Sequence, residues 1–126
     1  MVLCDTDVII EYLKGNKKTK RELEKIKMEN ITLSIITLME IYFGALNKKE
    51  LNNIKRVLGN FNILKVNEDI SDLAIDMVLK YSKSHGLRIP DSLIGATAVY
   101  YDIPLFTYNI KDFHFIKNIN LYKQIL

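Results

Sequence analysis

Four carboxylates in this chain of 126 residues sit where a charge has no ordinary reason to be. Asp5 follows the apolar run Val2-Leu3-Cys4. Glu40 is the one charged residue between Ile35 and Leu46, with Leu38, Met39, Ile41, Tyr42 and Phe43 around it. Asp91 opens "DSLIGATAVYY", which carries no other charge before Asp102. Asp112 lies in "NIKDF", just past the apolar run "PLFTY", with Asn109 ahead of it. Carboxylates gathered together repel one another and their pKa values rise. A hard divalent cation, Mg²⁺ or Mn²⁺, takes oxygen ligands and removes that repulsion. Such an ion activates water and neutralises charge on a phosphate undergoing attack. Rival chemistries lack their residues. No Cys/His spacing suggests zinc. His85 and His114 are isolated and read as surface or loop residues. Neither G-x-x-x-x-G-K-[ST] nor G-x-G-x-x-G occurs.

Taken singly, each acid has a plainer reading. Asp91 on its own reads as a helix N-cap, and Asp5 or Asp7 could cap the first helix. Two acids at one strand-to-helix turn is one more than a cap requires. Glu40 could pair with a lysine; a buried carboxylate that is neither paired, coordinated nor protonated is strongly destabilising. Glu22, Glu24, Glu29, Glu68, Asp69, Asp72 and Asp76 read as solvated charge on helix faces or starts.

The elements that must position the four acids alternate between short apolar runs and longer helical patterns. "MVLC", "ITLS", "NILKV" and "PLFTY" read as strands, and "INLYK" as a short fifth. "TDVIIEYLK" reads as a helix with Thr6 or Asp7 as N-cap and Gly15-Asn16 as its stop. "KTKRELEKIKMEN" is amphipathic, with Leu23 and Ile26 turned inward. "IITLMEIYFGAL" is apolar almost all round and so predicts a buried helix. Leu51, Ile54, Leu58 and Phe61 recur at helical spacing, and "DISDLAIDMVLKYSKSHG" is a long helix ending at Gly86. Pro90 immediately precedes the last helix. This alternation predicts an α/β domain over residues 1–126, with a mainly parallel sheet of four or five strands flanked by helices. In such sheets, sites form at the carboxyl ends of the strands, where Asp5 falls.

Composition narrows the classes further. A formal net charge of +3 permits a polyanionic partner without demanding one. The one cysteine, Cys4, excludes an internal disulfide and suits a cytoplasmic setting. No apolar run approaches the ~18 residues of a membrane span.

The segments "LCDTDVIIEYL", "LSIITLMEIYFGAL" and "IPDSLIGATAVYYDIPLFTYNIKDF", in this order, resemble a PIN-domain protein of the VapC type, the toxin ribonucleases of type II toxin–antitoxin systems. The resemblance covers essentially the whole chain and implies a three-layer PIN-like α/β fold and a Mg²⁺- or Mn²⁺-dependent endoribonuclease. On that basis Asp5, Asp91 and Asp112 would hold one or two metal ions, with Glu40 as a ligand or supporting base. Thr37 belongs to the family's T-x-x-E segment, here "TLME". Thr107 matches a small hydroxyl residue beside the site, and Asn109 the asparagine of N-x-x-D-F. Two positions depart from the pattern. Asp7 stands where asparagine is usual, as a second cap or an added charge near the metal. Tyr108 stands where arginine is common, which removes a cation from the site.

The resemblance also implies a homodimer and a small VapB-like antitoxin whose tail covers the site. Leu51, Ile54, Leu58, Tyr12, Tyr42 and Phe43 suit such contacts, although each reads more simply as core. RNA needs a cationic landing surface, and Lys14, Lys17, Lys18, Lys20 and Arg21 in "KGNKKTKR" offer one; a solvated charged loop is the plain alternative. Two rival functions remain open from sequence. The "DTD" motif also resembles the opening of haloacid-dehalogenase-type phosphatases, with Asp5 as nucleophile, though Glu40 has no place there. A PIN-like module kept only for binding is the other, against which the four retained acids argue.

Overall fold

Short runs of Val, Leu, Ile and Cys form the strands, and the amphipathic segments between them form the helices. The computed structural model describes residues 1–124. The order is β1 (Val2–Cys4), α1 (Thr6–Leu13), α2 (Lys17–Ile26), β2 (Ile31–Ser34), α3 (Ile35–Phe43), α4 (Lys48–Leu58), β3 (Asn62–Leu64), α5 (Glu68–His85), α6 (Ile89–Tyr101) and β4 (Leu105–Phe106). Single 3-10 turns occupy Met28–Asn30 and Ile110–Asp112. The strands form one parallel sheet in the order β3-β2-β1-β4. The fifth strand expected at "INLYK" contracts to a single bridge, Leu121 beside Leu105.

The two-residue period of a strand sorts the core into two layers. Val2 and Cys4 of β1 pack with Val8, Ile9, Leu23, Ile41, Ile54 and Leu58, from α1 to α4, on one face. Leu3 points the other way and joins Ile70, Ala74 and Met77 of α5 with Ile94, Ala96 and Ala98 of α6. Leu105 and Phe106 of β4 divide between the layers in the same manner. Small residues let α6 pack closely: a Cβ added at Gly95 would come within 3.0 Å of the Ile116 side chain.

Caps delimit the helices much as the residue types dictate. Asn16, Ser34, Asn47 and Asn67 each accept a backbone N–H at the starts of α2, α3, α4 and α5. Gly86 ends α5 at φ 68°, a left-handed conformation that favours glycine.

Three expectations change here. α6 begins at Ile89, so Pro90 lies inside its first turn and Asp91 is its third residue rather than its cap. Proline is tolerated there because first-turn N–H groups have no helical partner. Glu22 is 2% exposed, not solvated, and accepts from the Tyr122 hydroxyl at 3.3 Å. It shares the inward stripe of α2 with Thr19 and Leu23. Helix α3 is covered on one side only: Met39, Phe43 and the following Leu46 are 52%, 93% and 86% exposed.

Candidate active site

Asp5 stands where the chain leaves β1 and turns into α1. Its N–H donates to the Phe106 carbonyl at 2.9 Å, so the pairing of β1 with β4 sets the start of α1 beside the segment after β4. Asp5 itself is the N-cap of α1, not Thr6 or Asp7. One carboxylate oxygen, Oδ1, accepts the Thr6 N–H at 2.8 Å. The other, Oδ2, accepts the Thr107 hydroxyl at 2.8 Å, and the Thr107 oxygen in turn accepts the Asn109 N–H at 3.0 Å. Asn109 therefore enters the network through its backbone. Burial, reinforced by the charge of Asp7, pushes the Asp5 carboxyl up to about 7 against the opposing hydrogen bonds from Thr107 and Thr6.

Asp7 ties two elements together. Its Oδ1 accepts the Val8 N–H at 2.8 Å and its Oδ2 the Tyr108 N–H at 3.0 Å, which straps α1 to the chain beyond β4. Burial raises its carboxyl, while the Tyr108 and Val8 amides pull the other way. Tyr108 directs its hydroxyl to Thr19 of α2, 2.6 Å away.

Glu40 is exposed, because the side of α3 that carries it is left uncovered. Its partner is a hydroxyl rather than a lysine: Thr6 Oγ1 donates to Glu40 Oε1 at 2.7 Å and stands 3.0 Å from Thr37 Oγ1. Thr37 is fully buried. Thr6 thus links the turn after β1 to the T-x-x-E turn of α3, a role the sequence reading did not assign. Its position between Asp5 and Asp7 was the available signal.

Asp91 is 7% exposed in the first turn of α6. Burial raises its carboxyl, the Arg88 guanidinium lowers it, and the charges of Asp5 and Asp112 raise it again. Asp91 is therefore within electrostatic reach of both Asp5 and Asp112. Asp112 closes the 3-10 turn after β4 and is half-buried. The next residue, Phe113, is 1% exposed and anchors that turn in the α5/α6 layer. Burying a phenylalanine stabilises by about 2–3 kcal/mol.

The carboxylates converge on one edge of the sheet, but they do not close into a cage. Among the described residues no three Asp, Glu, His or Cys side chains stand close enough to enclose an ion. The basic strip also differs from expectation. Lys17, Lys18, Lys20 and Arg21 are exposed on the first turns of α2, not in a loop, and Lys14 pairs with Glu11 at 3.7 Å.

A parallel β3-β2-β1-β4 sheet with acids at its carboxyl edge defines a class of protein, and the chain belongs to it: the PIN domain family model matches residues 2–117. Within that family it is similar to Ribonuclease VapC10 of Mycobacterium tuberculosis, 30% identical over 90% of this chain and 86% of that one. Ribonuclease VapC1 of Methanocaldococcus jannaschii is 34% identical over 95% of this chain and 84% of its own. A toxin–antitoxin complex from Klebsiella pneumoniae superposes with a TM-score of 0.82 at 29% identity, over 99% of this chain and 100% of that one. The PIN assignment sets aside the dehalogenase-type alternative. No helix among the described residues is long and apolar enough to cross a membrane.

Proposed function

We propose that this chain is a Mg²⁺- or Mn²⁺-dependent endoribonuclease, a VapC-type toxin held in check by a VapB-like antitoxin in the cytoplasm. One observation carries the reading. Asp5, at the end of β1, and Asp91, in the first turn of α6, are buried carboxylates of a PIN domain, and the charges of Asp5 and Asp112 both bear on Asp91. Relatives named ribonucleases support the substrate class.

The donor set suits a hard cation in kind: it is all oxygen, and a carboxyl pushed up to about 7 gains from a nearby positive charge. With no three side chains closed around one point, water would complete the shell, as Mg²⁺ prefers. Asp5, Asp91 and Asp112 would hold the ion, in part through that water. When bound, the ion would lower the pKa of a coordinated water and offset charge on the phosphate. The protein's own residues prepare for that. Thr107 and the Thr6 amide fix both Asp5 oxygens. Asp7 keeps the β1 and β4 ends in register through Tyr108. Thr6 holds the exposed Glu40 carboxylate, which would serve as a supporting base. RNA cleavage in Mg²⁺ and Mn²⁺ that stops in EDTA is the expected result. No cleavage of total cellular RNA with either ion would overturn the reading.

The strip on α2 would collect RNA by charge alone. Replacing Lys17, Lys18, Lys20 and Arg21 together by alanine removes four cations, so the slope of log affinity against log salt should become less negative by about 2–3. An unchanged slope would leave the strip as solvated surface.

Two uncovered apolar surfaces fit the two protein partners. A cavity of about 570 Å³ between α1, α3 and α4 is lined by Ile10, Leu13, Ile41 and Ile54 and borders Glu40. An antitoxin segment lying there would reach the site. The α5/α6 face exposes Ile75, Leu79 and Ile89 at 58%, 78% and 68% and suits a second copy of the chain. Leu79→Lys should convert a dimer into a monomer by light scattering, with the melting temperature of the monomer little altered. A dimer that survives Leu79→Lys would place the contact elsewhere.

A further inference from the structure

Arg88 has no structural explanation within its own helix. It is the residue before α6, where a positive charge faces the positive end of the helix dipole, and its side chain makes no capping bond. Its side chain is 74% exposed. Its one ion pair among the described residues is a long contact, Nη2 to Asp91 Oδ2 at 3.4 Å. A pair with a guanidinium so exposed contributes little to folding. What the position does achieve is to set a planar five-donor fork beside Asp91, the acid on which the charges of Asp5 and Asp112 bear. That fork matches the geometry of a phosphate and of a carboxylate equally.

The two partners differ in when they are present. Without a metal, Asp91 is the nearest anion. An ion held by Asp91 would take up its charge and leave the guanidinium, 74% exposed, free to pair with a phosphate beside that acid. We propose that Arg88 is a phosphate-contacting residue: it pairs with Asp91 in the metal-free protein and transfers to an RNA phosphate once metal and substrate are bound. This rests on the ribonuclease reading. It assigns to Arg88 a short-range contact, distinct from the long-range attraction of the α2 strip.

The exchange predicts opposite signs for metal and substrate. Arg88→Ala removes a cation that competes for Asp91, so Mn²⁺ affinity, measured by calorimetry without RNA, should stay the same or tighten. With a short mixed-sequence single-stranded RNA and Mn²⁺, KM should rise about 10–100-fold, the usual effect of losing one charge-assisted hydrogen bond. The salt slope of RNA binding should become less negative by about 0.7, one phosphate contact. Arg88→Lys should recover part of the KM loss as a point charge. If Arg88→Ala instead weakens Mn²⁺ with KM for RNA unchanged, Arg88 only orients Asp91 and the proposal fails. It also fails if the variant matches wild type in every measurement. A wild-type protein that cleaves no RNA removes the ribonuclease reading and this proposal with it, an outcome distinct from the other two.

Discussion

Asp5→Asn and Asp91→Asn should each lower RNA cleavage at least about a thousandfold while the protein stays folded. Both residues are buried, Asp5 at the end of β1 and Asp91 in the first turn of α6, and both would carry a share of the metal's charge. An asparagine of the same shape keeps an oxygen for the Thr6 amide and presents its amide N–H₂ to the Thr107 oxygen, so the turn after β1 survives. What disappears is the negative charge. Asp91 makes no cap, so Asp91→Asn removes no capping bond from α6. Cleavage of cellular RNA in Mn²⁺, with circular dichroism as the check on folding, is the measurement. Full activity in either folded variant would eliminate the metal centre placed here.

The second large effect is on stability. A carboxyl that titrates near 7 when folded and near 3.8 when unfolded binds more protons in the native state between those values. The native state is therefore favoured at low pH. The contribution is lost progressively as pH rises from about 4 to about 7, and it stays lost above that. For Asp5 the loss is on the order of 4 kcal/mol. In EDTA, Asp5→Asn should thus melt above wild type at pH 8, and the difference should shrink to nothing near pH 4. Asp91→Asn should follow the same sign, since burial and the charges of Asp5 and Asp112 outweigh Arg88. Saturating Mn²⁺ should reverse the order at pH 8, because it stabilises only the chain that still carries the charge. Urea denaturation with and without metal reads both. An Asp5→Asn variant less stable than wild type in EDTA at pH 8 would mean that Asp5 is chiefly a structural cap.

The same pair of results bears on Asp7. Its two oxygens are spent on the Val8 and Tyr108 amides, so it acts as a strap between α1 and the β4 end. An asparagine, usual at this position in the resemblance, offers one acceptor oxygen rather than two. The aspartate here therefore buttresses the turn, and its charge adds to the burden on Asp5.

Periodicity and composition determined the parallel α/β architecture, because alternation in strands and 3.6-residue repeats in helices are local properties of the chain. Asp5, Asp91 and Asp112 were visible for a related reason: each is a charge at the boundary of an apolar run. Glu40 was visible as a charge but misjudged in burial. An all-apolar helix predicts a buried one, yet whether α3 is covered depends on what packs against Met39 and Phe43, and among the described residues these stay 52% and 93% exposed. Glu22 failed in the opposite sense, since a charged helix face is read as wet until the fold turns it inward. Thr6 gained its contact with Glu40 only from the tertiary structure. Thr6 reaches Glu40 across 34 positions. Asp7 meets Tyr108 across 101 because β1 and β4 are neighbours in space and far apart along the chain. The sequence by itself determined which residues carry charge at strand ends. Only the folded sheet decided which of those charges share an edge, because parallel pairing joins segments that no local pattern connects.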